Sequence, residues 1–328
     1  MEITAISWRR LVAAMAASLG LLAFAVAPAA ADDALRVGKA NPVAFSFVPL
    51  DVGIATGAFA RHGLKIEESS FAGSAKVQQA LAANAIDLSL SSGPELAFLV
   101  KGNPALCVAS IAGPPRLLVI IASKDAPIHA VADLKGKTIG ISTVGSLTMW
   151  LVQEMSRREG WGTNGIKTAA LGEDAAQIAA MKTRQIDGMV IDVASAYRLE
   201  SSGDARIVAR FGDMIKDFEI NVIYATQAVL QRDPDKVRDF LAGWFETIAY
   251  MRKNKAETVR LVAPVMHVSD AIAVKVYDEL MPAFSDSGKI DPKALDVLAK
   301  SFVDMGMLPK PPDLQAFVTE KYLPGATR

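Results

Sequence analysis

Hydrophobic positions in the first two thirds of the chain alternate between short apolar strands and amphipathic helices. Residues 35–38, 64–67 and 86–91 have the two-residue period of strands, whereas residues 51–62 have a helical pattern that Gly63 ends. Strands that alternate with helices in this way are typical of an α/β fold. We therefore predict mostly parallel sheets flanked by helices.

The length of the chain, 328 residues, exceeds that of most single-core domains, so we predict two lobes. Residues 32–122 and 222–328 are expected to form lobe 1, and residues 123–221 are expected to form lobe 2. The chain then crosses between the lobes twice. Two crossings permit hinge bending while both cores stay intact.

The pattern changes after Asp233, where amphipathic helical segments follow one another with few strands between them. The apolar faces of these helices need a partner, and the sheet of lobe 1 is the surface left partly uncovered. We predict that this helical C-terminal tail packs on lobe 1. Its segments are residues 237–253, 256–265, 270–284, 292–305 and 313–318.

Residues 75–90 and 175–190 are similar to each other at a spacing of one hundred. Each is an Ala-rich helical pattern, a polar turn that ends in Ile-Asp, and a hydrophobic strand. Any two helix–turn–strand units share this much, so both chance and an internal repeat explain the similarity. If the repeat is real, each lobe holds one copy. The loops that follow the two strands, at Ser91 and at Asp192, then occupy equivalent positions where open α/β sheets bind ligands.

Residues 1–31 have the pattern of a secretory signal peptide. Arg9 and Arg10 precede an uncharged apolar run over residues 11–27, and small residues precede a cleavage point between Ala31 and Asp32. The only cysteine, Cys107, lies far from that point and cannot carry a lipid anchor there. We therefore expect a soluble periplasmic protein, exported by either the general or the twin-arginine route.

The charge of the chain is balanced, with 35 basic and 35 acidic side chains. A balanced chain has no long-range attraction for nucleic acids or for anionic membranes. We therefore expect no nucleic-acid partner, and a monomer in solution.

The turn after residues Thr138–Ile141 is the strongest candidate for ligand chemistry. This β-rich run ends in Ser142, Thr143, Gly145 and Ser146, just where an amphipathic helix begins. Small hydroxyl residues and Gly at a strand-to-helix turn leave backbone N–H groups free, and the helix N-terminus adds partial positive charge. The turn can therefore hold an anionic or polar ligand group, although an ordinary helix cap has the same residues.

The order of the motifs resembles that of the solute-binding proteins of ABC importers, most closely the nitrate/sulfonate/taurine/thiamine-pyrimidine group. The resemblance implies a type II periplasmic binding protein fold that closes on a small ligand between its lobes and then docks on an ABC permease in the inner membrane. It implies no cofactor. The segments that carry it are residues 53–67 (GIATGAFARHGLKIE), 73–81 (GSAKVQQAL), 86–87 (ID) and 133–140 (DLKGKTIG).

The resemblance also implies which loops contact the ligand. We expect an anionic ligand, namely a sulfonate, nitrate or carboxylate. The aromatic rings of Phe45 and Phe47 could contact the ligand or could equally be core residues. The residues that match the contacting loops are Asn41, Phe45, Phe47, Gly73, Ser74, Ser91, Ser92, Ser142, Thr143, Gly145, Ser146 and Asp192.

Two charged candidates have more than one interpretation. Arg116 could form a bidentate hydrogen-bonded pair with a carboxylate, sulfonate or nitrate, or it could be a solvated charge at a strand end. Asp192 suits a ligand amine or hydroxyl, or an ion pair with an Arg across the cleft. The two residues therefore favour different ligands.

An enzyme on the same fold is the main rival interpretation. Pyrimidine-forming enzymes that share this architecture carry a Cys-rich iron motif, which a chain with one Cys cannot supply. The three His residues stand in no motif of a nucleophilic triad, and no GxSxG, HExxH or Walker sequence occurs. We expect no enzymatic activity. A pyrimidine or other neutral aromatic ligand, and a periplasmic sensor role, stay open.

Overall fold

The computed structural model of the chain describes residues 34–71 and 73–326. Ten strands in these residues form two five-stranded sheets. Sheet A has the order β2 (Ile66–Ser70), β1 (Leu35–Lys39), β3 (Leu88–Ser92), β10 (Asn221–Thr226) and β4 (Ala105–Ala112). Sheet B has the order β7 (Lys167–Ala170), β6 (Thr138–Ile141), β8 (Gly188–Asp192), β5 (Leu118–Ser123) and β9 (Ala205–Arg210). The predicted signal peptide, residues 1–31, lies outside the described residues.

Helices cover both sheets, and within the described range none is long and apolar enough to cross a membrane. They are α1 (Val48–Ala55), α2 (Ala58–Arg61), α3 (Ser74–Ala82), α4 (Leu96–Val100), α5 (Leu147–Arg158), α6 (Asp174–Lys182), α7 (Val193–Ser201), α8 (Phe211–Met214), α9 (Gln227–Arg232), α10 (Pro234–Lys253), α11 (Lys255–Val265), α12 (Asp270–Leu280) and α13 (Pro292–Asp304). Short 3₁₀ turns lie at Phe45–Phe47, Gly93–Glu95, Val131–Leu134, Met281–Ala283 and Gln315–Phe317.

The predicted two-lobed α/β fold is confirmed: each sheet is mixed, with four of its five strands running in one direction and one strand running against them. In sheet A, β2, β1 and β3 are parallel, and β10 runs antiparallel between β3 and β4. Sheet B repeats this arrangement with β5 between β8 and β9. The antiparallel strands β5 and β10 are those with which the chain enters each lobe after a crossing. The apolar pattern of a buried strand does not reveal its direction.

Strand β5 corrects the expected lobe boundary. Its pairing with β8 and β9 assigns residues 118–122 to sheet B, although they were expected in lobe 1. The first crossing therefore covers residues 113–117, and the return to sheet A lies between Arg210 and Asn221. A buried apolar run fits either sheet equally well, so the sequence alone did not assign residues 118–122 to the correct lobe. Lobe 1 is accordingly sheet A with the helices packed on it, and lobe 2 is sheet B with its helices.

The similarity at a spacing of one hundred corresponds to equivalent positions in the two sheets. Helix α3 leads into β3 in sheet A, and α6 leads into β8 in sheet B. The turns between them place Asn84 and Arg184 in the left-handed region, with φ of 54° and 59°. Asp87 and Asp187 each accept a hydrogen bond from the backbone of the adjacent strand, at 3.0 and 2.8 Å. Each lobe therefore contains one copy of the same unit.

The C-terminal tail packs on lobe 1, as predicted. Helices α10 and α11 contact α1 and α2, and the Phe59 and Phe240 rings stack with centroids 5.1 Å apart. The tail also contacts lobe 2, which the sequence did not predict. The indole Nε1 of Trp150 on α5 donates to Asp304 at the end of α13 (3.2 Å), and α12 contacts α7. The pattern of apolar helix faces does not reveal this contact, because it is a hydrogen bond between two polar groups.

Candidate functional site

A cavity of about 460 Å³ lies at the carboxyl ends of the three parallel strands of sheet A. Ala40, Phe71 and Ser92 end or directly follow these strands, and lobe 2 contributes Glu173 from the loop before α6. The carboxyl edge of a parallel sheet is where open α/β folds bind ligands. The lining residues are Ala40, Asn41, Pro42, Ala44, Phe47, Phe71, Gly73, Ser92, Leu117, Glu173 and Asn221.

Four of the predicted site residues line this cavity: Asn41, Phe47, Gly73 and Ser92. The Phe47 ring, 3% exposed, forms part of the apolar wall. Asn41 lies in the loop after β1, where its Oδ1 accepts a hydrogen bond from the backbone N–H of Val43 at 2.9 Å. That bond holds the loop and leaves the Asn41 amide nitrogen as a donor.

Two other lobe 1 candidates, Phe45 and Ser91, are not among the residues that line the cavity. Phe45 packs in the core against Tyr277 and Phe284, with ring centroids 6.4 and 5.8 Å away. Phe45 and Phe47 share one 3₁₀ turn with about three residues per turn, so the two rings cannot face the same side. Ser91 is fully buried and donates its hydroxyl to Glu95. Ser74 is the first residue of α3, directly after Gly73.

Glu95 is a structural residue of the site that the sequence analysis missed. Its buried carboxylate accepts hydrogen bonds from Gln78 Nε2 (2.7 Å) and from the hydroxyls of Ser91 and Ser92. The Ser92-x-x-Glu95 spacing is a capping box, a signal that the sequence does contain. Glu95 therefore holds the carboxyl end of β3 at the cavity.

The turn from Ser142 to Ser146 has the local geometry expected of it. Gly145 has a φ of +75°, and the Ser146 hydroxyl caps α5 by accepting from the Met149 N–H at 3.3 Å. The backbone N–H groups of Thr143, Val144 and Gly145 have no hydrogen-bond partner among the described residues. Free donors at the N-terminus of a twelve-residue helix favour an anion.

The same turn lies beside the cavity and is not part of its lining. The backbone oxygen of Ser142 accepts a hydrogen bond from Gly172 N–H at 2.9 Å, and Gly172 precedes the lining residue Glu173. On the other side, a Cβ on Gly145 would lie 2.8 Å from the backbone oxygen of Met305, just after α13. The turn therefore lies between the cavity loop and the C-terminal tail.

Neither Arg116 nor Asp192 lines the cavity. Arg116 lies 3.7 Å from the carboxylate of Asp213 on α8, a placement that agrees with a charged strand end. Asp192 caps α7 by accepting a hydrogen bond from the Ala194 N–H at 2.8 Å. Burial raises the pKa of Asp192 to about 6, although hydrogen bonds from the backbone of Ala194 and Ser195 act in the opposite direction.

Asn221, at the start of β10, is a cavity residue that the sequence analysis did not identify. Its side chain is 6% exposed, and its Nδ2 lies 3.5 Å from the backbone oxygen of Ser91. Its Oδ1 is buried and has no hydrogen-bond partner in the described structure. An isolated Asn at a strand start carries no motif, so only the fold reveals this unpaired acceptor.

Glu219 lies in the segment that returns the chain to lobe 1. Its buried carboxylate accepts from the Ser110 hydroxyl at 2.6 Å and from the Asp291 N–H, before α13, at 3.3 Å. Burial raises the pKa of Glu219 to about 7, and the negative charge of Asp291 adds to the rise. The segment between sheet B and β10 therefore contains a carboxyl group with a pKa near neutral pH.

Comparison with solved structures supports the fold. The chain is similar to the periplasmic aliphatic sulphonate binding protein SsuA from Escherichia coli, with 20% identity, a TM-score of 0.75, and coverage of 88% of this chain and 92% of that one. It is also similar to the alkanesulfonate-binding protein SsuA from Xanthomonas axonopodis pv. citri bound to MOPS, with 18% identity, a TM-score of 0.70, and coverage of 88% and 98%. At these identities the likeness shows the periplasmic binding protein fold.

An enzyme shares this fold as well. The desulfurization enzyme DSZB is 15% identical, with a TM-score of 0.64 and coverage of 88% of this chain and 97% of the enzyme. Among curated protein sequences, none is significantly similar to the chain. The sequence model of the family described as NMT1/THI5 like matches residues 44–258, well over half of the chain. The chain therefore belongs to the NMT1/THI5-like family.

Proposed function

We propose that the protein is the solute-binding component of an ABC importer. It captures a small ligand in the periplasm as a monomer and delivers it to a permease in the inner membrane. The observation that carries this proposal is the cavity at the carboxyl ends of β1, β2 and β3, next to both crossing segments. Closure of the lobes about those crossings, with boundaries near residues 113–117 and 211–220, is part of the proposal.

The ligand proposed here carries a small anionic group of the sulfonate, nitrate or carboxylate kind. Unpaired N–H groups at Thr143, Val144 and Gly145 support an anion site at the N-terminus of α5. The sulfonate ligands for which the SsuA proteins are named have the same chemistry. No Lys or Arg is among the described lining residues, and Arg116 pairs with Asp213, so the backbone would supply the attraction.

Binding without catalysis is the function proposed, because the Cys and His side chains of the described residues do not line the cavity. Cys107 is fully buried in β4, and burial raises its thiol pKa well above the usual range. His62 contacts Glu246 on the outer side of lobe 1, at 2.9 Å. Neither residue is among those that line the cavity, and His129 and His267 do not line it either.

Gly145→Val tests the anion site. Val resists a φ of +75°, and its Cβ would meet the Met305 backbone oxygen at 2.8 Å, so the turn must change shape. We expect the affinity for the best-binding anion in a panel of ethanesulfonate, nitrate and benzoate to fall about tenfold. Titration calorimetry on the folded variant measures this change.

Gly160→Val is the matched control, at the other end of α5. Gly160 has a φ of +74°, and a Cβ at this position would have no neighbouring atom within 4 Å. Val there adds the same backbone strain away from the cavity, so the control should lose stability and keep wild-type affinity. Unchanged affinity in folded Gly145→Val would mean that the turn is a helix cap only.

A further inference from the structure

The C-terminal tail contacts lobe 2 through a carboxylate at the end of α13. Asp304 accepts a hydrogen bond from the Trp150 indole at 3.2 Å and forms an ion pair with Arg157 at 3.0 Å, and both partners lie on α5. The buried Trp150 ring also stacks on Phe218, in the segment that returns the chain to lobe 1, with centroids 5.0 Å apart. Because this packing fixes the ring, its N–H reaches Asp304 in only one arrangement of α5 and α13.

A second carboxylate of the tail makes the same kind of contact from α12. Glu279 accepts a hydrogen bond from the Tyr197 hydroxyl of α7 at 3.2 Å and lies 3.5 Å from the Arg210 guanidinium at the end of β9. Arg210 also donates to the Tyr197 oxygen at 3.3 Å. The Asp304 cluster and the Glu279 cluster therefore each join one tail carboxylate to one aromatic donor and one Arg of lobe 2.

The two clusters lie on opposite faces of sheet B. Helix α5 connects β6 to β7, toward one edge of the sheet, and α7 connects β8 to β9, toward the other edge. Both connections join parallel strands, and such crossovers are right-handed, so the two helices cover opposite faces. A single contact would leave lobe 2 free to turn about it, whereas two contacts on opposite faces restrict that rotation.

The placement of lobe 2 determines the shape of the proposed ligand site. Asn41 of lobe 1 and Glu173 of lobe 2 line the same cavity. The unpaired N–H groups of residues 143–145 lie at the start of α5, the helix that Asp304 holds. Neither Asp304 nor Glu279 lines the cavity, so an effect of either residue on binding must act through the arrangement of the lobes.

We propose that Asp304 and Glu279 are positioning residues, with which the C-terminal tail clamps lobe 2 in the arrangement where both lobes line one cavity. The clamp acts before a ligand arrives, so less of the binding free energy is used to order the lobes. Its effect on affinity rests on the proposed solute-binding function, whereas the arrangement of the lobes can be measured without a ligand.

The distance between the lobes tests the clamp in ligand-free protein. Spin labels on Gln79→Cys in α3 and Ala179→Cys in α6 report this distance, because both positions are exposed and the fully buried Cys107 stays unlabelled. Pulsed electron paramagnetic resonance should give one main distance when the clamp is intact. With Asp304→Asn and Glu279→Gln together, only about a third of the molecules should keep that distance.

Asp278→Asn is the matched control. Asp278 precedes Glu279 on α12, but its carboxylate pairs with Lys255 inside the tail at 2.6 Å, so the distance between the lobes should not change. The clamp variants should fold, because Asn and Gln keep an oxygen acceptor and Arg157 keeps its ion pair with Glu154 at 2.9 Å. An unchanged distance in the double variant, or the same change in the control, would overturn the clamp.

Titration calorimetry then connects the clamp to binding. The probe is the best-binding anion among ethanesulfonate, nitrate and benzoate. Its affinity for the double variant should fall about threefold, in proportion to the share of molecules that leave the wild-type distance. Unchanged affinity beside a changed distance would overturn the positioning role. If the wild type bound none of the three anions, that would count against the anionic ligand of the proposed function, and the distance measurement alone would decide on the clamp.

Discussion

Gly93→Ala should lower the free energy of unfolding by about 3 kcal/mol or more, because the chain crosses itself too closely at Gly93 for any side chain. A Cβ at this buried position would lie 1.9 Å from the backbone oxygen of Glu219, and real atoms do not approach so closely. The contact is between two backbone segments, joined by a hydrogen bond from Gly93 N–H to Ile220 O at 3.1 Å. Neither segment can rotate away as a side chain would.

Gly113→Ala is the matched control for this substitution. Gly113 begins the first crossing, and its Cβ would meet the backbone oxygen of Phe218 at 3.2 Å, a contact that a shift of a few tenths of an ångström relieves. Urea denaturation should show a much larger loss of stability for Gly93→Ala than for Gly113→Ala. Equal losses would mean that the return segment moves freely and that the close approach does not constrain the fold.

Gly93→Ala should also affect ligand binding in protein that remains folded. Ser92 precedes Gly93, and Asn221 follows the segment that the new methyl group would push away. The hydroxyl of Tyr224 donates to the backbone oxygen of Ser92 at 2.8 Å and ties these strands together. Displacement of one strand against the other would separate Asn221 from Ser92, two register partners that line the cavity.

The local units of the fold could be predicted from the sequence because their signals are local. The period of the apolar residues located β1, β3 and β8, and the Ile-Asp pairs marked the turns before the two equivalent strands. The positive φ of Gly145 and the cap at Ser146 also follow from residue type. These features depend on neighbours a few positions away.

Features that depend on partners far along the chain could not be predicted. The run from Leu118–Ser123 has the pattern of any buried strand, and only pairing with β8 and β9 assigns it to lobe 2. The unpaired oxygen of Asn221 exists because β10 lies beside β3, 130 positions away in the sequence. Of the two candidate rings, Phe47 lines the cavity and Phe45 packs in the core against Tyr277, and only the fold shows which side of their turn faces the cavity.

Glu219→Gln should change how stability depends on pH. The pKa of Glu219 is raised from 4.5 to about 7, first by burial and then by the charge of Asp291, so the folded state binds the proton more tightly than the unfolded state does. Stability in the wild type should therefore fall as the pH rises from about 4.5 to 7, the window between the two values. The full difference corresponds to about 3 kcal/mol at most.

The variant removes that titration and keeps an acceptor for the Ser110 hydroxyl and the Asp291 N–H. The difference in unfolding free energy, variant minus wild type, should therefore grow by about 2–3 kcal/mol between pH 5 and pH 8, as measured by urea denaturation. The groups that share this environment are Cys107 and Tyr224, whose pKa values burial raises well above their usual ranges, so they stay neutral in the window.

Asp204→Asn is the control with the opposite sign. The hydrogen bond from the Ser202 hydroxyl and the charge of Lys182 lower the pKa of the exposed Asp204 carboxyl, so its contribution to stability is present above the unfolded pKa and is lost as the pH falls below it. No histidine is among these partners, so its difference from the wild type should stay constant between pH 5 and pH 8. If the Glu219→Gln difference were equally constant, the carboxylate would be ionised throughout that window. The hydrogen bonds from Ser110 and Asp291 would then outweigh the burial that isolates it from water.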